Sequence, residues 1–240
     1  GYPWVQPYGI SVTPYGDILI GVLWLLYLDP VEGNNSVGEQ DTQLVVSRDG
    51  RTWSRVAGRQ TFLAPTAGSW DQGGVFPGTT IFLKDDRVHI YYTGKAGRHG
   101  EGLSKMGIGL ATLVADRFVA LRQQDPARPG ALTTRPFLCF GEDLVVNADL
   151  EGDSLTVEVL DARGTPFPGF TRETCVLKTI DSLRHRVFWR QESRERSFRD
   201  IPAAQPVRLR FVLNGTSLYA FRISTAEPSP KGEHSGAAPE

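Results

Sequence analysis

At 240 residues, with 40% hydrophobic and 22% charged side chains, the chain is long enough to bury a real core and is not a disordered tract. A formal net charge of −1 and a pI near 6.5 remove the electrostatic footprint expected of a nucleic-acid binder. With 26 glycines, 16 prolines and no long amphipathic helical pattern, the composition predicts an all-β chain rich in turns.

Strand patterns arrive at short, regular intervals. "GISVT" runs into the turn "PYGD" and then the apolar stretch "ILIGVLWLLYL", residues 18–28. That stretch falls short of the about 20 residues a bilayer span needs, and it lacks the basic flank and cleavage site of a signal peptide. A buried strand is expected, with no membrane span. The loop "DPVEGNNSVGEQ" follows, then "TQLVVS", the turn "RDGR" and "TWSRV". After a second loop, "AGRQTFLAPTAGSWDQ", the order recurs: "GVFPGTTIFL", "KDDR", "VHIYYTG", a Gly-rich loop, "MGIGLATL", "VADR" and "FVAL". Residues 44–56 and 110–121 can be laid over one another, each a strand, a polar turn and a short final strand. Repetition of a four-stranded unit is the signature of propeller blades, and two such units predict a partial β-propeller. A closed propeller takes about four to eight blades. Either the remaining blades lie upstream of Gly1 or on another chain, or the fold is not a propeller; a removed targeting segment would lie upstream as well.

Composition shifts after "RQQDPARPGALTTRPF". From there "FLCF", "DLVVNADL", "SLTVEVLD", "ETCVLKT", "RHRVFW" and "VRLRFVLNGTSLYAFRIS" predict a β-sandwich. In the last segment Val207, Leu209, Phe211 and Leu213 share one face, Arg208 and Arg210 the other, and Asn214-Gly215 suits a tight hairpin. The expected organisation is propeller blades over 1–125, a sandwich over 126–225 and a disordered tail over 226–240. Cys139 and Cys175 fit no zinc or redox spacing and read as two buried thiols, with a disulfide as the alternative.

Candidate site residues fall in four places. Ser47-x-Asp49-Gly50-x-Thr52-Trp53 resembles the Asp-box of sialidases and related propellers, shortened by one residue, and reads as a turn in which Asp49 binds backbone amides. In "GSWDQGGVFPG", Trp70 can stack on a sugar face and Asp71 can act as acid, base or hydroxyl acceptor; an ordinary turn with a packed Trp is the alternative. Asp41 and Gln43 share a strand face and suit a pair of hydroxyls, with strand capping as the alternative. The loop 91–102 offers Tyr92, Arg98, His99 and Glu101. None of these spacings is a metal or cofactor motif, so neither is expected. Asp41 and Asp71 are the best candidates for the paired carboxylates of a glycosidase.

Two further features have less specific readings. The run "SLRHRVFWRQESRERSFRD", 182–200, interleaves Glu192, Glu195 and Asp200 with its arginines and reads as a solvated face. Asn34-Asn35-Ser36 and Asn214-Gly215-Thr216 match the glycosylation sequon.

The stretches "DTQLVVSRDGRTWSRV", "FLAPTAGSWDQGGVFPG", "VHIYYTGKAGRHG", "GIGLATLVADRFVAL" and "LTTRPFLCFGEDLVVNADLEGDSLTVEVLDARGTPFPGF" resemble bacterial proteins related to glycoside hydrolase families 32 and 43. The resemblance runs through most of residues 8–223. It implies a five-bladed propeller followed by a β-sandwich, of which this chain holds the last two blades and the sandwich. It further implies a carbohydrate substrate or ligand and a secreted or periplasmic bacterial protein. The family 32 motifs W-M-N-D-P-N-G, R-D-P and E-C do not occur in this chain, so the resemblance assigns no catalytic role to a numbered residue. A non-catalytic carbohydrate- or protein-binding module is the alternative to a hydrolase.

Overall fold

A computed structural model describes residues 4–30, 36–150, 154–178, 180–202 and 205–224. The sequon at 34–36 and the tail at 226–240 lie wholly or partly outside the described residues. The fold is all-β, with antiparallel sheets throughout. The chain divides into two compact units, 1–115 and 116–240. Among the described residues no helix is long and apolar enough to cross a membrane.

In the first unit, β1 (Val5–Tyr15), β2 (Ile18–Leu28), β3 (Gly38–Ser47) and β4 (Ser54–Arg55) form a meander in that order. The apolar stretch is β2, buried on both faces through Ile20, Val22, Leu25, Leu26 and Leu28. The link from β3 to β4 is the Asp49 turn. Asp49 Oδ1 accepts from the backbone N–H of Arg51 and Thr52 at 2.8 and 2.7 Å, and Ser47 Oγ accepts from Gly50 at 2.9 Å. Gly50 has φ +71°, the left-handed backbone glycine adopts without strain. Those two amides hold the Asp49 carboxyl down to a pKa of about 2. Asp49 serves the backbone.

A second sheet is the meander of β5 (Gly74–Lys84), β6 (Arg87–Lys95) and β7 (Met106–Val114). Asp85 and Asp86, with φ of 51° and 56°, close the β5–β6 hairpin through the positive dihedrals a two-residue turn needs. The two sheets meet along β1 and β5 in a seam that carries hydroxyls. Ser11 Oγ donates to Pro77 O at 2.9 Å, and the Ile81 N–H donates to Thr13 Oγ1 at 3.0 Å. Both bonds use β5 backbone groups freed where its register with β6 breaks between Pro77 and Ile81.

The internal repeat predicts a fourth strand here at 118–121, yet this sheet has three among the described residues. Asp116, with φ 64°, turns the chain after Ala115, and Leu121 exchanges backbone hydrogen bonds with Leu218 at 2.8 and 3.0 Å.

The second unit contains β8 (Gly130–Thr133), β9 (Phe137–Leu138), β10 (Asp143–Asp149), β11 (Ser154–Asp161), β12 (Cys175–Val176), β13 (Asp181–Gln191), β14 (Arg194–Arg196), β15 (Pro206–Asn214) and β16 (Ser217–Ser224). One sheet runs β12-β13-β10-β16 with β14 beside β13; the other runs β11-β15-β8 with β9 beside β15. Inward residues of both, with Leu150, Phe170 and Phe198 from the connections, make one cluster, of 16 buried apolar side chains among the described residues, that includes Leu144, Val157, Trp189, Leu209 and Phe211. Trp189 is fully buried, and its Nε1–H donates to Val157 O at 2.8 Å, tying one sheet to the other. Burying each such side chain contributes about 1.5–3 kcal/mol before chain entropy is charged against it.

Strand β15 keeps the expected alternation: Val207, Leu209, Phe211 and Leu213 are all buried. The hairpin expected at Asn214-Gly215 does not form. β15 pairs with β11, β8 and β9, while β16 pairs with β10, so the link passes from one sheet to the other. Gly215 has φ 65° and its N–H donates to the Gln123 side chain; Phe211 and Phe221 meet at 5.2 Å between ring centroids. Both cysteines are free, and burial pushes the Cys175 thiol up to about 11. Three arginines of 182–200 are answered by carboxylates: Arg186 by Asp143 and Glu195, Arg194 by Asp200, and Arg199 by Glu142.

Candidate functional site

A cleft of about 790 Å³ opens in the first unit, lined by residues of β2, β3 and the loops 61–73 and 96–101. Its charged lining is Glu39, Asp41, Arg98 and Glu101. Three carboxylates thus face one guanidinium.

Strand geometry brings the first group together. Leu25 pairs with Asp41 and Tyr27 with Glu39, so Tyr27 and Asp41 are diagonal neighbours on one face of the sheet. Burial and the nearby Asp41 carboxylate both raise the Tyr27 phenol above its usual range. Thr61 Oγ1 donates to Asp41 Oδ2 at 2.6 Å. Asp41 Oδ1 is buried and has no hydrogen-bond partner among the described residues. Gln43 lies on the same face, as the alternation requires, and accepts from Arg55 Nη1 at 3.3 Å.

The loop expected at 91–102 begins only after Lys95, because Tyr91 to Lys95 belong to β6, and its residues 96–101 supply the other wall. Arg98 Nη2 reaches Asp29 Oδ1 at 2.7 Å, and Arg98 Nη1 lies 3.6 Å from Glu101 Oε1. The Asp29 hydrogen bond raises the guanidinium pKa further and lowers that of the Asp29 carboxyl. His99 turns the other way: its Nε2 lies 2.9 Å from Tyr8 Oη, and its backbone bridges to Gly38.

Trp70, Asp71 and Tyr92 form a separate cluster against the second sheet. Gly94 and Gly107 are paired across β6 and β7, and a methyl at Gly94 would stand 2.4 Å from Trp70 Cζ3 and 2.6 Å from Asp71 Cβ. Only glycine leaves room for the Trp70 ring, which lies over that pair with 42% of its surface open. Trp70 and Tyr92 stack at 5.9 Å between centroids and 15° between planes. Tyr92 Oη donates to Asp71 Oδ2 at 3.0 Å, and Thr66 Oγ1 donates to the same oxygen at 3.4 Å. Burial first, and Asp71 second, raise the Tyr92 phenol. Asp71 is 2% exposed and its Oδ1 has no partner among the described residues; its chain neighbours Gln72 and Gly73 line the cleft and it does not.

Of the residues proposed from sequence, the cleft gathers Asp41, Arg98 and Glu101. It leaves Gln43 beside Asp41, His99 against Tyr8, and Trp70 and Asp71, near the end of the 61–73 loop, together with Tyr92 of β6. Sequence reasoning passed over Tyr27, Glu39 and Gln40. The signal was there for Gln40, an amide at a position whose strand face continues through Thr42 and Leu44 into the core.

No known protein family matches the sequence, and no curated protein matches it. Among solved structures, the protein is similar to a complex of BT0996 with RGII, at 19% identity and a TM-score of 0.37. The match covers 46% of this protein and 33% of the other, so the present sequence spans about a third of that protein's length.

Proposed function

We propose that this protein is part of a carbohydrate-active protein, with a sugar bound in the cleft of the first unit. The observation that carries the reading is the unfilled hydrogen-bonding capacity of the cleft wall. Buried polar atoms in folded proteins are almost always paired, and an unpaired one at a cavity marks where water or a ligand completes the set. Asp41 Oδ1 and Arg98 Nε are such atoms, and they belong to residues lining one cleft.

The same reading takes the two sheets of the first unit as blades of a propeller and the second unit as an ancillary sandwich. Ile10 and Val12 on β1, and Tyr91, Ile108 and Leu110 on β6 and β7, are exposed apolar side chains on the two sheets. Those faces suit further sheets of the same kind, upstream or on another chain.

For hydrolysis, the pair taken from the sequence is Asp41, in the cleft lining, and Asp71, which stands outside it; one would protonate the leaving oxygen and the other act as base or nucleophile. A binding module without chemistry is the second reading, favoured by the engagement of Asp71 with Tyr92 and Thr66. Asp41→Asn and Asp71→Asn in the protein that contains this sequence separate the two. Hydrolysis on a broad glycoside panel should fall at least about 100-fold in each variant while binding persists. Unchanged turnover in both would reject these carboxylates. Glycan binding with no turnover in the parent protein would establish the second reading.

A further inference from the structure

Most sheet edges in this molecule are protected. β4, β9 and β12 are two residues long, β14 reads Arg-Glu-Arg, and β1 carries Pro7, Pro14 and a break in register between Pro7 and Gly9. The side of β11 away from β15 is covered by residues 167–170: Val159 N–H donates to Phe170 O at 3.0 Å, and Phe167 N–H to Val159 O at 2.9 Å. Short strands, charge, proline, bulges and covering loops are the devices that keep an edge from templating another strand. β7 has none of them. It is nine residues long, Met-Gly-Ile-Gly-Leu-Ala-Thr-Leu-Val, without proline or charge. Its register with β6 is unbroken, and β6 is its one strand partner among the described residues. In the first sheet the corresponding edge is taken by β4, whereas the segment expected to take this one joins Leu218 through Leu121.

The flanking hydrogen bonds fix which backbone groups stand at the open edge. Ala96 N–H donates to Lys105 O, and Ala115 N–H to Asp86 O, each at 2.9 Å. Carried along the antiparallel ladder, that pattern turns the odd-numbered residues of β7 toward β6 and the even-numbered ones away from it. Met106, Ile108 and Leu110 therefore present N–H and C=O groups at the edge, and they are 63%, 80% and 48% exposed. We propose that this edge pairs antiparallel with β7 of a second copy of the chain, joining two three-stranded sheets into one continuous sheet. The open backbone groups call for an extended strand. β7 itself fits, because self-pairing about a twofold axis sets no like charges opposite one another and brings Ile108 and Leu110 of the two copies together. The pairing uses the edge of the sheet and stands apart from what the cleft binds.

Sedimentation of the full chain over a range of concentration is the test. One strand pair is a small interface, below about 1,200 Å², so half-dimerisation is expected at about 10–100 µM, the mass rising from 26.4 kDa toward twice that. Ile108→Lys brings two cations near the twofold axis, and Leu110→Pro removes an outward N–H without breaking a bond to β6. Each should weaken the dimer at least about tenfold, and Ile108→Lys should leave the Tm unchanged. Phe140→Lys, at a residue 80% exposed in the second unit, should dimerise as the parent does. Hydrogen exchange gives a second readout. The Ile108 and Leu110 amides should exchange at least about tenfold slower in the dimer, while those of Gly107 and Gly109, already turned to β6, stay as they were. A chain that remains monomeric throughout overturns the proposal. So does a dimer that is indifferent to both β7 variants, that Phe140→Lys abolishes, or that leaves the Ile108 and Leu110 amides unprotected.

Discussion

The two units bury their sheets in opposite ways. In the second, 16 apolar side chains fill the space between the sheets, and the fully buried Trp189 spends its one N–H on Val157 O. In the first, the sheets meet through hydroxyls donating to and accepting from backbone, beside glycines that let rings and amides approach. An apolar core supplies most of the stability, because burial is non-directional and grows with the area removed from water. A hydroxyl bonded to one backbone group fixes position and contributes little energy. The cleft, lined by Asp41, Arg98 and Glu101, lies in the unit built the second way.

The contrast can be broken at three points. Trp189→Ala removes the largest fully buried side chain of the core and strands Val157 O, and should lower the stability of the second unit by about 3–5 kcal/mol in a denaturant melt. Ser11→Ala should lower that of the first by about 1–2 kcal/mol, the effect of one buried bond and an unpaired Pro77 carbonyl. Equal losses in the two melts would sink the distinction. The smallest effect concerns the Asp49 turn. Its carboxyl pKa is depressed from 3.8 to about 2, so its contribution is complete above pH 3.8 and is lost as pH falls through about 2. An acid titration of Asp49→Ala against the parent should show the gap between them closing over that window; a gap that persists below it would mean the turn works without the charge.

Local chemistry made much of this molecule legible. The all-β class, most strand positions and the β5–β6 turn follow from alternation and turn residues, because side-chain period and φ preference are properties of the chain itself. The Asp49 turn is the clearest case: Ser47, Asp49 and Gly50 are close enough in sequence to satisfy one another, and their hydrogen bonds are those the turn chemistry predicts. Alternation does not say which sheet edge a strand joins. That is why Asn214-Gly215, a hairpin by its residues, instead carries the chain between sheets, and why Leu121 pairs with Leu218.

The candidate site divides along the same line. Asp41 and Gln43 share a face because they are two apart on a strand, a consequence of local spacing that can be read from the residues themselves. That Asp41 stands in a cleft with Arg98, while Asp71 lies under Trp70 with Tyr92, depends on loops distant in sequence and emerges only once the sheets are packed. That the buried Gln40 amide has no partner among the described residues emerges at the same stage. An amide is recognisable in a sequence, but whether it is left without a partner depends on groups that packing brings within, or keeps out of, hydrogen-bonding reach.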